Sequence, residues 1–426
     1  MIIMERLEKQ INQLSIKYTL DTDKVYLKQF GQFFTLSPQI LSKLLCGYVQ
    51  SKNEIDILEP SAGTGTIILE CIKHFKLFKL DAVEIDKNIY DKTVELFKNT
   101  INIQNPHFIN NNFLKYNFGE KKYDLIIGNP PYFEITKESR SLITEDFNEI
   151  LSGRINIYSL FIYKSIKLLK PNGQLIFIIP KTILSGKYFC KLRNFIHKHC
   201  NILDIVKFDN NKLFKKALQS VIILKLQLCP FNTSLVRQNY TLNINNELYF
   251  VKDSTQLHQN ICSTSISKLN CTVKTGNIVW NQHKELLSDI KTESTLQLIM
   301  AVNIKNEKLV LIQNKNTDTV KVKLKKQFIT RNDLNKHLVI SGPYILINRI
   351  VGLDPPKLNI FFEKNNNDES KCFVENHVNF IKGNIDNLTT IYNSLKNPKT
   401  ITFIKELIGN TQLSQYELEN IIPIFN

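Results

Sequence analysis

The chain reads as an α/β protein: a Rossmann-like, largely parallel open sheet over residues 1–255, then a smaller mixed α+β domain over 256–426. Three observations predict it. Short apolar runs alternate with stretches of helical period through the first half, the pattern of successive strand-helix units. Ile55-Asp56-Ile57-Leu58-Glu59 feeds a glycine turn that opens a helix. Residues 229–262 then lose clear periodicity and are rich in Asn, Ser and Thr, which sets the domain boundary near 255.

Met4, Leu7, Ile11 and Leu14 recur at helical spacing, so the first segment is an amphipathic helix lying on the main domain. Lys28-Gln29-Phe30-Gly31-Gln32-Phe33-Phe34-Thr35 reads either as a loop leading into a helix or as a flap over a ligand, with the Thr35 hydroxyl facing a carboxylate. Ser37-Pro38 starts the next helix. In Glu59-Pro60-Ser61-Ala62-Gly63-Thr64-Gly65, the two glycines let backbone approach a ligand, and the helix behind presents free N–H groups. No Gly-Lys-Ser/Thr follows, so a triphosphate is not expected. About twenty residues on, a second strand ends at Glu84, placed to accept from ribose hydroxyls. A dinucleotide site competes, although the glycine pattern is not Gly-x-Gly-x-x-Gly.

Helix Lys87–Thr100 leads to a third strand and Asn111-Asn112-Phe113-Leu114. A fourth strand, Leu125-Ile126-Ile127-Gly128, stops at Asn129-Pro130-Pro131-Tyr132, because consecutive prolines supply no ladder donors. The carboxamide of Asn129, the Pro130 carbonyl and the ring of Tyr132 suit one task. An exocyclic amine of a nucleobase is a poor nucleophile; two acceptors taking both its N–H groups would localise its lone pair while an aromatic face holds the base. A structural strand-to-loop corner is the plain alternative.

Beyond lie a polar loop, helix Tyr158–Lys170, a turn at Pro171-Asn172-Gly173, strand Gln174–Pro180 and helix Lys187–Lys198. Closing strands Ile202–Phe208 and Ser220–Leu228 flank Lys212-Leu213-Phe214-Lys215-Lys216, where Phe214 is either a stacking platform among phosphate-facing lysines or a half-buried loop residue. In an open parallel sheet the crevice lies outside the carboxyl ends of the strands, so Gly63, Glu84, Asn112 and Asn129 should converge on one rim.

Composition narrows the partners. The 55 Lys+Arg against 39 Asp+Glu leave a net charge of +16, which favours a polyanion, nucleic acid before anionic membrane. Glu5, Arg6, Glu8 and Lys9 interrupt any signal-peptide core, and no apolar run reaches membrane-spanning length, so a soluble, intracellular protein without a membrane partner is expected. Eight cysteines without a Cys-x-x-Cys pair argue against structural zinc and disulfides, and no metal is expected; His197-Lys198-His199-Cys200 reads as a surface turn. In the C-terminal half, alternation over 321–326 sets Lys321, Lys323 and Lys325 on one face, either along a phosphate backbone or on a solvated edge strand. Asn277, Asn281, Gln282 and His283 are candidates for base edges, and Lys284 and Arg349 for bases or phosphates.

In combination these motifs resemble the amino-group DNA methyltransferases of the gamma arrangement, the TaqI-type adenine-specific enzymes above all. The order matches: Phe30-Gly31-Gln32-Phe33-Phe34-Thr35, Glu59 to Gly65, Glu84, Asn129 to Tyr132, then a target-recognition region closing at Leu418-Glu419-Asn420-Ile421-Ile422-Pro423. The resemblance implies that S-adenosylmethionine lies in the crevice. Thr35 and the turn of Glu59, Pro60, Ser61, Gly63 and Gly65 would hold its methionine part, Glu84 its ribose, and Ile85, Phe113 and Phe161 its adenine. Asn112 stands where the family usually has Asp and would accept from that adenine as a neutral partner. Asn129 and Pro130 would take the target amine, and Tyr132 and Phe214 would stack a base flipped from duplex DNA. Lys215, Lys216, Asn281, His283, Lys321, Lys323 and Arg349 would contact the DNA. A separate restriction endonuclease is the implied genetic partner. RNA-adenine, protein-glutamine and cytosine-amino methyltransferases remain competitors, as does a DNA-binding protein with a vestigial fold.

Overall fold

The computed structural model describes residues 2–22, 37–48, 54–100, 106–136, 145–208, 221–230, 239–254, 264–279, 282, 284–311, 326–333, 335–349, 357–407 and 412–425. The chain divides into two compact units, Met1–Asn243 with Glu247–Ser254, and Ile244–Asn246 with Thr255–Asn426.

The first unit is an α/β sheet of the Rossmann-like type. Helices α1 (Ile2–Asp21) and α2 (Pro38–Leu44) precede β1 (Ile55–Glu59), α3 (Thr66–His74), β2 (Phe78–Glu84), α4 (Lys87–Lys98), β3 (His107–Asn110) and β4 (Tyr123–Gly128). There follow α5 (Ile157–Leu168), β5 (Leu169–Pro180), α6 (Cys190–His199), β6 (Cys200–Lys207) and β7 (Val221–Leu228). The seven strands lie in the order β3-β2-β1-β4-β5-β7-β6. Strands β1 to β5 pair parallel, and β7 runs antiparallel between β5 and β6. Leu125, Ile126 and Ile127 of β4 are fully buried, as an unbroken apolar run requires of a central strand covered on both faces.

The strand order reverses between β1 and β4, which makes their carboxyl ends the switch point where open sheets of this kind bind ligands. Register decides what lines it. Leu58 pairs with Ile126, which sets Pro60 level with Gly128; a Cβ added at Gly128 would stand 3.2 Å from Pro60 Cδ, so the two strand ends lie side by side.

Two expected details are corrected. Helix α5 ends at Leu168, and Pro171-Asn172-Gly173 is no free turn: it belongs to β5, in an irregularity where the β4 pairing jumps from Tyr123–Leu169 to Leu125–Gln174 and Asn172 takes a positive φ of 64°. The stretch without periodicity contains a hairpin, Thr241–Ile244 against Glu247–Phe250, turning at Asn245 and Asn246 with φ of 50° and 63°. Asparagine tolerates that left-handed pair, and Leu248 and Phe250 of the second strand pack into the first unit's core.

The second unit is α+β. One antiparallel sheet orders Thr272–Thr275, Val378–Lys382, Tyr344–Asn348 and Ile360–Glu363; a second, of short strands, includes Leu287–Ser288, Phe328–Thr330, Thr295–Ile299 and Phe373–Val374. Helices Ile385–Lys396 and Pro398–Leu407 supply Leu388, Ile391, Leu395 and Ile404 to the core cluster that backs the first sheet.

Candidate active site

The glycine turn is built by left-handed backbone. Gly63 and Gly65 have φ of 54° and 84°, and a Cβ at Gly65 would stand 2.5 Å from the Phe97 ring of α4, so both the backbone and the packing require glycine there. The turn is tied on three sides. Ala62 N–H donates to Val83 O at 2.9 Å, Gly63 N–H to Glu84 Oε2 at 2.8 Å, and Thr93 Oγ1 to Gly63 O at 2.9 Å.

Glu84 is therefore a structural acceptor as well as a candidate ribose ligand. Its second oxygen accepts Asp86 N–H at 2.8 Å. Burial pushes its carboxyl up to about 7, against the pull of the Asp86, Gly63 and Ile85 backbone donors. Glu59, at the end of β1, is raised well above the ordinary carboxylate range by burial first and the charge of Glu84 second. Its Oε2 is buried and has no hydrogen-bond partner. Such an atom is costly unless a ligand completes it.

Next to the turn stands the Asn129 corner. Ser61 Oγ donates to Asn129 O at 3.1 Å, so the glycine turn and the amide motif occupy one rim. Tyr132 is turned inward: its hydroxyl lies against two acceptors, Asn129 Oδ1 and, at 2.7 Å, Ile178 O, with one proton shared between them; its ring meets Tyr158 edge-on at 6.3 Å, and it is 8% exposed. Burial holds its hydroxyl well above the usual tyrosine range.

On the other side of Glu84, Ile85 is 47% exposed, rare for an isoleucine that leaves a buried strand. Asn110 Nδ2 and Asn111 N–H both donate to Glu84 O, which brings the end of β3 to the same rim. Asn112 Oδ1 accepts Leu114 N–H at 2.9 Å and caps the turn that follows. Phe113 and Phe161 are buried with ring centroids 4.9 Å apart.

Pro60, Ser61, Gly63, Gly65, Glu59, Glu84, Ile85, Asn112, Phe113, Phe161, Asn129, Pro130 and Tyr132 are thus all carried on the strand ends β1 to β4 and the adjoining α5. Thr35, Phe214, Lys215, Lys216, Asn281, His283, Lys321 and Lys323 lie outside the described residues. Arg349 ends a strand of the second unit and spends one guanidinium N–H on Asn376 O at 2.8 Å, while its buried Nε has no partner. Sequence reasoning missed the contribution of α1, where Ser15 Oγ and Thr64 Oγ1 lie 2.6 Å apart and Tyr18 donates to Asp86. Their only sequence signal is polarity on the buried stripe of an amphipathic helix, at positions 15 and 18 beside Leu7 and Ile11. Among the described residues no group of three or more His, Cys, Asp or Glu side chains could hold a metal ion, and no helix is long and apolar enough to cross a membrane.

A switch point with a left-handed glycine turn at one strand end and an Asn-Pro-Pro-Tyr corner beside it belongs to the Rossmann-like methyltransferase class. Comparison narrows the class. Residues 7–214 match the family described as Eco57I restriction-modification methylase. Modification methylase CviBIII of Paramecium bursaria Chlorella virus NC1A is 28% identical over 98% of this chain and 99% of its own. Type II methyltransferase M.AccI of Acinetobacter calcoaceticus is 29% identical over 50% of this chain and 39% of its own length. Among solved structures, the type IIG restriction endonuclease BpuSI aligns over 94% of this chain and 58% of its own, with 15% identity and a TM-score of 0.40.

Proposed function

We propose that this protein is the modification enzyme of a restriction-modification system, moving the methyl of S-adenosylmethionine to the exocyclic amine of adenine in a specific duplex DNA site. The observation that carries the reading is the 3.1 Å bond between Ser61 and the Asn129 carbonyl, which joins the cofactor-type turn to the amine-binding corner. The likeness to a modification methylase along 98% of the chain supports DNA as the substrate, as does the +16 charge.

The residues present fit the cofactor. Glu59 offers a buried carboxyl oxygen without a partner, Glu84 a buried carboxyl at the end of β2 for a ribose hydroxyl, and Ile85 an exposed apolar face for a purine. When bound, S-adenosylmethionine supplies an electrophilic methyl carbon on a sulfonium. The chain's own work is to make the target nitrogen nucleophilic. Asn129 Oδ1 and the Pro130 carbonyl accept the two N–H groups of the amine and localise its lone pair, so displacement proceeds in line without a covalent enzyme intermediate. The amine takes the place of the Tyr132 hydroxyl at Asn129 Oδ1, and the Tyr132 ring stacks the flipped base together with Phe214. After transfer the nitrogen loses its surplus proton to solvent water.

Arg349 and the lysines at 215, 216, 321 and 323, with Asn281 and His283, are the proposed DNA contacts, and a separate endonuclease is the proposed partner. The test is incubation with methyl-labelled cofactor and separate duplex DNA, RNA and protein, followed by digestion of the labelled product to nucleosides. Label in DNA as N6-methyladenine is expected. N4-methylcytosine would overturn the adenine assignment alone, and label confined to RNA or protein would overturn the DNA reading.

A further inference from the structure

Lys164 lies one helical turn beyond Phe161 on α5 and makes contacts that a surface lysine does not. Its ammonium donates to three consecutive-loop carbonyls, Phe113 O at 2.7 Å, Leu114 O at 3.0 Å and Tyr116 O at 2.8 Å. All three N–H donors of the side chain are therefore spent on one loop. The same ammonium stands 5.2 Å from the centroid of the Phe113 ring and 5.5 Å from that of Phe118, within cation–π range. That loop begins with Asn112, whose Oδ1 accepts Leu114 N–H at 2.9 Å and whose carbonyl accepts the N–H of Lys115 and Tyr116. One lysine thus holds both the backbone that shapes the turn and one ring of the Phe113–Phe161 pair.

We infer that Lys164 is a positioning residue that locks the Asn112–Tyr116 turn against α5, so that the Asn112 carboxamide and the Phe113 ring meet the cofactor's adenine in one fixed geometry. The inference rests on the proposed S-adenosylmethionine site, which it deepens by naming what sets its selectivity for the adenine base. Burial lowers the ammonium to about 8, opposed by the charge of Asp146, as expected for a lysine drawn off the surface into a backbone cage. A purely structural staple would lower stability and weaken every ligand alike. A positioning role instead changes the ratio between two ligands that differ only at the N1–C6 edge of the base, an amine beside an N1 acceptor in one and an oxo group beside an N1–H donor in the other.

The experiment measures, by titration calorimetry on the full-length protein, the affinities for S-adenosylhomocysteine and S-inosylhomocysteine, with melting curves as the check on folding. Wild type is expected to prefer the adenine ligand. Lys164→Met should weaken that ligand about tenfold while changing the hypoxanthine ligand less than about threefold, since only the former depends on the fixed acceptor. Lys164→Arg, which still offers donors to the carbonyls, should keep the preference, and Lys164→Gln, which reaches fewer of them, should lose most of it. If Lys164→Met does not fold, the Arg and Gln variants decide the matter. Unchanged preference in the Gln variant, or equal weakening of both ligands, overturns the inference and leaves the site intact. Failure of wild type to bind either ligand overturns the site itself.

Discussion

Glu84 connects the fold to pH in a way that a single substitution isolates. Its carboxyl is buried and raised from 4.5 to about 7. A folded pKa above the unfolded one means that stability is full below pH 4.5 and declines as pH rises to about 7, because over that window the unfolded chain has released a proton that the folded chain retains. At 1.36 kcal/mol per unit, the shift amounts to about 3 kcal/mol of lost stability. Glu59 titrates in the same direction, so the raw pH profile mixes the two groups. Glu84→Gln separates them. Glutamine keeps one acceptor for the Gly63 and Asp86 N–H groups and sets a donor against the other, so the variant starts lower by about 1–3 kcal/mol but no longer titrates. The assay is urea unfolding of wild type and variant at steps from pH 4.5 to 8, without cofactor, followed by exchange protection of amides in β1 and β2. The wild-type advantage should fall by about 3 kcal/mol across the window, reaching zero or reversing sign. A difference that stays flat with pH would show that Glu84 is not held protonated by burial and would refute the reasoning.

Three further outcomes follow from the site. Asn129→Ala should bind S-adenosylhomocysteine as wild type does yet lose turnover by about 10²–10³, the usual loss for one preorganised polar group; unchanged turnover in the labelled-DNA assay would remove Asn129 from its role. Gly65→Ala puts a Cβ 2.5 Å from the Phe97 ring at a φ of 84°, so a cost of about 2–4 kcal/mol is expected from strain and overpacking together, read as a lower melting temperature. A melting temperature equal to wild type would mean that the turn is not held against α4. Tyr132→Phe removes the hydroxyl shared by Asn129 and Ile178, lowering stability of the cofactor-free protein by about 1–2 kcal/mol. Since the ring remains, turnover should persist, and a loss as deep as that of Asn129→Ala would move the role of Tyr132 from its ring to its hydroxyl.

Much of the architecture could be read in advance because it is written in local chemistry. A central strand that ends in Pro130-Pro131 must stop there whatever surrounds it, and Gly63 and Gly65 announce backbone that other residues rarely adopt. Apolar runs placed β1, β2, β4, β6 and β7 close to where they lie. The hairpin at Asn245-Asn246 escaped notice because its flanking strands are four residues each, too short to show alternation. The irregularity at Pro171-Asn172-Gly173 looks like an ordinary turn in sequence; only pairing with β4 on one side and β7 on the other reveals that the strand begins before it.

The residue types of the proposed chemistry, an amide, a proline carbonyl, an aromatic ring and two glycines in a tight turn, were determined by sequence alone, because each is intrinsic to its own side chain or backbone. How they are poised was decided only in three dimensions. Ser61 meets the Asn129 carbonyl because β1 and β4 pair in one register, and Glu84 is buried and spent on its own backbone because β2 and β3 close over it. Lys164 surrenders its solvent to three carbonyls 48 to 51 residues earlier in the chain. Hydrogen-bond partnership and desolvation depend on what the rest of the chain brings within about 3 Å, a distance that no spacing along the sequence encodes.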